Sequence, residues 1–200
     1  KSNIVTMMGK LLTWLPFKLY FRVQKSGMEN LTSEPVIYAG NHQSLLDAFI
    51  FNHSVPSKIL RNIYYLAKVK HFSKGYMRKL GENSNVILVD INKNLGEVLQ
   101  TMAKVLKDGK SVVIFPEGAR TRDGEIQDFK KTFAILSKEL NIPVVPFGIK
   151  GAYEAMPYGQ RIPSMSPITI KFFDKVMPEG LTVEEIVEKS KDEIELWLIK

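Results

Sequence analysis

His42 and Asp47 stand five residues apart in the stretch NHQSLLD, residues 41–47, directly after the apolar run PVIYAG. Imidazole is the side chain best suited to moving a proton near neutral pH. A carboxylate beside it accepts the other ring N–H, fixes the tautomer and stabilises the imidazolium. A five-residue gap across a loop-to-helix junction allows that contact. The spacing alone is weak, because Asp47 also fits an ordinary acid in the first turn of a helix.

A second polar stretch, FPEGARTRDG, covers residues 115–124. It follows the buried-type run SVVIF, where Pro116 ends the strand and Glu117 puts an acid at its mouth. Gly118 lets backbone come close to a ligand. Arg120 and Arg122 are fork-shaped cations suited to phosphate oxygens. Standing alone, the stretch also fits a polar turn with solvated charges.

The elements that must position these residues alternate. Apolar runs at 35–40, 62–68, 85–90, 111–115, 143–149 and 167–173 predict strands. Between them, LLDAFIFNH is helical in character, and a short helix ends at Gly81. The clearest helix carries Leu95, Val98, Leu99, Met102, Val105 and Leu106 at 3.6-residue spacing and stops at Gly109. A helix covers 130–140, and a terminal amphipathic helix presents Val183, Ile186, Val187, Ile194, Trp197 and Leu198 on one side. This alternation predicts an α/β domain with a largely parallel sheet flanked by helices. In such sheets ligands collect outside the carboxyl ends of the strands, where both polar stretches and residues 148–153 fall.

The formal charge of +7 is unevenly placed. Residues 1–28 hold Lys1, Lys10, Lys18, Arg22 and Lys25 and no acid, whereas the remaining 172 carry 23 basic and 21 acidic side chains. The basic segment is also apolar and aromatic. Lys10, Lys18 and Arg22 interrupt it and Pro16 breaks it, so it does not read as a span of roughly 20 apolar residues. No small-residue cleavage site marks a secretory signal. The expectation is an amphipathic helical arm, residues 1–30, lying on a membrane surface ahead of a domain at 31–200. In it Trp14, Phe17, Tyr20 and Phe21 would enter the headgroup boundary while Lys18 and Arg22 meet anionic lipid.

Taken together and in this order, NHQSLLD and FPEGARTR resemble the glycerolipid acyltransferase family, with its N-H-x4-D motif and later F-P-E-G-[TAS]-R motif. IPVVPFGI, residues 142–149, is similar to a further proline-centred block of that family. The resemblance covers roughly residues 35–155. It implies transfer of a fatty acyl group from an acyl thioester, on coenzyme A or acyl-carrier protein, to a glycerol hydroxyl, with no other cofactor. His42 would be the general base, Asp47 would orient it, and Glu117, Gly118, Arg120 and Arg122 would bind the acceptor's glycerol-phosphate end. Direct attack needs no acyl-enzyme, in keeping with a chain that has no cysteine. The sequence departs from the family's F-I-x-R motif, because Ile91 stands where the arginine would fall. Lys93 is the nearby substitute, with Lys68 and Lys70 as others. Lysophosphatidic acid is the default acceptor and another lysophospholipid the alternative. A lysolipid-binding membrane module without turnover is the reading of a different class. The expected location is the cytoplasmic face of a membrane, peripheral or monotopic.

Other chemistries fit less well. Ser44 has no G-x-S-x-G elbow around it. DGKS at 108–111 lacks the first P-loop glycine, the position being Lys104, and precedes a strand. Three scattered histidines do not define a metal site, and His53 and His71 read as surface or loop residues. A nucleic-acid partner would want a basic face on the folded domain, not a basic apolar arm.

Overall fold

The computed structural model describes residues 4–68, 85–89 and 95–199. The expected short helix ending at Gly81, along with Lys70, His71, Ile91 and Lys93, lies outside them. The elements are α1 (Ile4–Leu19), β1 (Gln24–Ser26), a 3-10 turn (Met28–Asn30), β2 (Ile37–Gly40), α2 (Asp47–Ser54), α3 (Ser57–Leu60), β3 (Ile63–Lys68) and β4 (Val86–Val89). Then follow α4 (Leu95–Lys107), β5 (Ser111–Ile114), α5 (Thr132–Leu140), β6 (Val144–Lys150), α6 (Ala152–Ala155), β7 (Thr169–Phe172) and α7 (Val183–Ile199).

Among the described residues the sheet has seven strands in the order β1-β7-β6-β2-β5-β3-β4. From β6 to β4 the strands run parallel. β7 is antiparallel to β6, and β1 is parallel to β7. The central strands β2 and β5 are buried along their whole length, and β6 along all but its last residue. That is the pattern of a parallel sheet covered on both faces. One face packs Val36, Tyr38, Val113, Phe147 and Phe172 against α1, α2 and α6. The other packs Ile37, Ala39, Val112, Ile114 and Val144 against α4, α5 and α7. The apolar stripes predicted for α4 and α7 lie on this second face. α7 opens on a capping box, Thr182 and Glu185, in which each backbone N–H donates to the other's side chain.

The N-terminal arm departs from expectation. α1 lies against α2, and Phe17 and Phe21 are buried in the core beside Ile50, Phe51 and Val55. They therefore do not face a headgroup layer. Two arm cations serve the domain as well: Lys10 Nζ donates to Val55 O, and Lys25 Nζ to His53 O at 2.9 Å. Cations are favoured there, at the carbonyl end of a helix. β1 is a sheet strand, so residues 24–26 lie on the domain's side of the expected boundary at residue 30. His53 is not a surface residue either. It is buried in α2, with its ring stacked on Phe17 at 5.7 Å. Burial first, then the charges of Lys25 and Lys10, push its pKa down to about 4. The outer side of α1 does remain exposed. Leu11 and Leu12 are 78% and 74% exposed, and Lys18 Nζ sits 4.8 Å from the centre of the Trp14 ring. Arg22 is exposed in a left-handed backbone conformation.

Candidate active site

β2 and β5 are neighbours, yet the chain leaves their carboxyl ends toward opposite faces, from β2 to α2 and from β5 to α5. Such a divergence opens a crevice at the strand ends. The loops 41–46 and 115–124 meet in it.

Asn41 closes β2. Its side chain accepts from Ile149 N at 2.8 Å and donates to Ile149 O at 2.9 Å, which fastens the loop to β6. Gly40, just before it, has no room for a side chain: a Cβ would lie 2.4 Å from the buried Phe147 ring. Ser44 Oγ donates to Met156 O at 2.8 Å, and the residue is fully buried. This hydroxyl anchors the loop and is not displayed as a nucleophile.

The loop delivers His42 to Asp47, the first residue of α2. Nδ1 lies 2.8 Å from Asp47 Oδ2, and Ser44 N–H donates to the same oxygen at 2.8 Å. An oxygen already receiving one N–H is best matched by a second donor, so Nδ1 carries the proton and Nε2 has the free lone pair. The His42 ring stacks on Phe115 with 4.4 Å between centroids, which fixes its plane. Asp47 is fully buried. Burial raises its carboxyl above the ordinary range, while the hydrogen bonds from His42 and Ser44 pull the other way.

Glu117 does a different job from the one expected. It is buried, and its two oxygens accept backbone N–H groups, from His42 at 2.6 Å and from Gln127 at 3.0 Å. It ties the two loops together instead of facing an acceptor. Burial pushes its pKa up to about 7, against those two hydrogen bonds. Thr121 adds a second tie, donating its N–H to His42 O at 2.9 Å. The Glu117–Thr121 turn requires left-handed backbone at Gly118, whose φ is 77°.

Arg120 and Arg122 flank Thr121, so the backbone bond to His42 anchors both arginines at the dyad's loop. Their guanidiniums lie 4.8 and 5.5 Å from the centre of the Tyr158 ring. Tyr153 hydroxyl donates to Arg122 O at 2.9 Å. The structure thus brings together His42, Asp47, Glu117, Gly118, Arg120 and Arg122. Trp14, Phe17, Lys18, Tyr20, Phe21 and Arg22 belong to α1 and the turn after it. Residues that sequence did not single out are Asn41, Phe115, Tyr153 and Tyr158. Asn41 and Phe115 are the first letters of the two motifs and Tyr153 ends the 148–153 segment expected at the strand ends, whereas nothing local marks Tyr158. Among the described residues no three His, Asp or Glu side chains converge as a metal-ligand set, and no helix is long and apolar enough to cross a membrane.

Comparison with known proteins agrees with this architecture. The chain matches the Acyltransferase family model over residues 22–150. It is similar to the 1-acyl-sn-glycerol-3-phosphate acyltransferase of Limnanthes douglasii, 28% identical over 184 residues that cover 90% of this chain and 62% of that one. It is similar also to the protein of that name from Saccharomyces cerevisiae (strain ATCC 204508 / S288c), 25% identical and covering 96% of this chain and 69% of that one. The chain spans about six tenths of the length of the first plant relatives it matches. Its fold is that of the crystal structure of the 1-acyl-sn-glycerophosphate (LPA) acyltransferase from Thermotoga maritima, at a TM-score of 0.80 and 24% identity, covering 98% of this chain and 77% of that one. With the family model matching well over half of its residues, and both family motifs meeting in one crevice, this chain belongs to the acyltransferase family.

Proposed function

We propose that this chain transfers a fatty acyl group from an acyl thioester, of coenzyme A or acyl-carrier protein, to the free hydroxyl of lysophosphatidic acid, giving phosphatidic acid. The observation that carries the reading is the His42–Asp47 pair, a partly exposed imidazole on a fully buried carboxylate, joined through Glu117 and Thr121 to a turn bearing two arginines. His42 Nε2 takes the proton of the acceptor hydroxyl. The oxygen attacks the thioester carbonyl, the C–S bond breaks, and the departing thiolate takes the proton from His42. Asp47 holds the tautomer and stabilises the imidazolium in between. Arg120 and Arg122 bind the phosphate. A positioned base supplies typically ~10²–10⁴ in rate, so orientation of the two substrates supplies the rest.

Both substrates are amphiphiles, and an acyl chain left in water costs about 0.8 kcal/mol per CH₂. Leu45 and Phe49, 51% and 45% exposed, stand on either side of Asp47 in the chain. Leu11, Leu12, Trp14 and Leu15 are exposed on α1, which lies against α2. These apolar groups support a peripheral seat on a membrane surface, and Lys18 and Arg22 suit the anionic cytoplasmic leaflet. The relatives' names support lysophosphatidic acid as the acceptor. Ile91, in place of the family's arginine, favours a second reading in which another lysophospholipid is acylated.

The test is acyl transfer from a radiolabelled acyl thioester to a panel of lysolipids. Product with lysophosphatidic acid above all others supports the first reading. Product with a zwitterionic lysolipid above all others supports the second. Binding of lysolipid with no product from any acceptor would contradict both and leave a binding module.

A further inference from the structure

Two guanidiniums share one aromatic ring beside this crevice. Arg120 lies 4.8 Å and Arg122 5.5 Å from the centre of Tyr158, a residue 36 positions further along the chain. Both distances fall within the range of cation–π attraction, which reaches to about 6 Å from the ring centre. Like charges repel, and a ring that attracts both guanidiniums offsets part of that repulsion. No carboxylate forms an ion pair with either arginine among the described residues, so the ring's electron-rich surface is the partner that the structure gives them.

The backbone that carries the ring is braced. Tyr158 belongs to the segment between α6 and β7, where Ser164 N–H donates to Ala155 O at 2.7 Å and Gln160 N–H to Pro157 O at 3.1 Å. Gln160 Nε2 donates to Ser164 Oγ at 3.1 Å. From the arm, Tyr20 hydroxyl donates to Pro163 O at 3.1 Å. Tyr158 itself is 53% exposed, and its hydroxyl is not needed for the contact with the arginines. The segment is therefore a braced platform, with an open ring presented to the arginine turn.

We infer that Tyr158 is a positioning and selectivity residue for the acceptor: it gathers Arg120 and Arg122 into a paired clamp for a phosphate monoester. A monoester carries up to two negative charges and three terminal oxygens, enough to engage two forks at once. The phosphodiester of a zwitterionic lysolipid carries one charge and an ammonium group that the clamp repels. The inference rests on the proposed acyl transfer to a phosphate-bearing lysolipid. It adds that the choice of headgroup depends on an aromatic ring outside both motifs, on a segment that also touches the arm.

The experiment measures binding of radiolabelled lysophosphatidic acid and lysophosphatidylcholine, below their micellar concentrations, to wild type, Tyr158→Ala and Tyr158→Phe, alongside transfer kinetics. Tyr158→Ala is expected to weaken lysophosphatidic acid binding and raise its KM about tenfold, with kcat little changed. Its lysophosphatidylcholine affinity stays that of wild type, and Tyr158→Phe restores lysophosphatidic acid binding, since the ring remains. Equal lysophosphatidic acid affinity in wild type and Tyr158→Ala would overturn the inference. So would equal weakening toward both lipids, or a Tyr158→Phe protein as weak as Tyr158→Ala. If the expected binding pattern holds but wild type transfers no acyl group, the clamp stands and the enzymatic reading fails.

Discussion

Glu117 accepts the backbone N–H of His42 at 2.6 Å, and this bond spans the two loops that carry the family's motifs. The same carboxylate accepts from Gln127 at its other oxygen. The acid of the second motif thus holds the backbone of the first in register.

A pH dependence of stability follows from the burial of this carboxylate, which outweighs its two hydrogen bonds. The pKa of Glu117 is pushed by burial up to about 7 from an ordinary value near 4.5. A folded state that holds its proton more tightly than the unfolded state is favoured at low pH. The contribution of Glu117 is therefore fully present below about pH 4.5 and is lost as pH rises through about 7. The difference in unfolding free energy between wild type and Glu117→Gln should shift against wild type across that window, by a few kcal/mol at most. Denaturant unfolding at pH 4.5, 6 and 8 measures it. A difference that stays flat, or moves in favour of wild type, contradicts the assignment.

Asp47→Asn keeps the shape of the site while removing the charge. The amide oxygen still accepts from Ser44 N–H, but an uncharged group stabilises the imidazolium of His42 less. The expected result is a kcat about 10²–10⁴ lower, with the acceptor's KM little changed. Steady-state kinetics on the purified variant check this. Undiminished kcat would remove Asp47 from the mechanism.

The arm divides into two kinds of apolar residue, and substitution separates them. Phe17 is 3% exposed, so Phe17→Ala should cost about 3–5 kcal/mol of stability. Leu11→Ser with Leu12→Ser, at exposed positions, should leave stability nearly unchanged and weaken binding to anionic vesicles. Raised salt should weaken vesicle binding of the intact protein too. Deleting residues 1–28 is a poor test, because it removes β1 and two buried phenylalanines. Vesicle sedimentation and thermal unfolding report the two effects. Equal sedimentation of the Leu11/Leu12 variant would place the membrane contact elsewhere.

Gly40→Ala tests the fit at the root of the dyad's loop. The new methyl group would meet the ring of Phe147, which is itself buried and cannot swing aside. Overpacking of this kind costs typically ~1–3 kcal/mol. Adding Phe147→Leu should return part of the loss. Thermal unfolding of the single and double variants decides it, and a Gly40→Ala protein as stable as wild type would show that the loop yields.

Much of the layout was legible in the sequence because parallel strands buried on both faces read as short apolar runs. SVVI and VVPFGI are such runs, and each appears as a strand within a residue or two of its expected ends. The meeting of His42 with Asp47 was legible because the contact is local. Long-range features were not. β1 is QKS, three exposed polar residues with no apolar signal, and it joins the sheet only because β7 offers an edge. The reversed direction of β7 leaves no mark in its own sequence. Phe17 and Phe21 look like headgroup-seeking aromatics until α2 supplies a surface to cover them. Glu117 beside arginines suggests a ligand contact. Its true partners, two backbone N–H groups, are invisible to side-chain chemistry.

The measurement that bears most directly on the account is the rate of labelled acyl transfer to lysophosphatidic acid by His42→Ala beside wild type, with folding verified by thermal unfolding. The account predicts a folded variant whose rate is lower by at least about 10²–10⁴. A folded His42→Ala protein that transfers acyl groups as fast as wild type would contradict it.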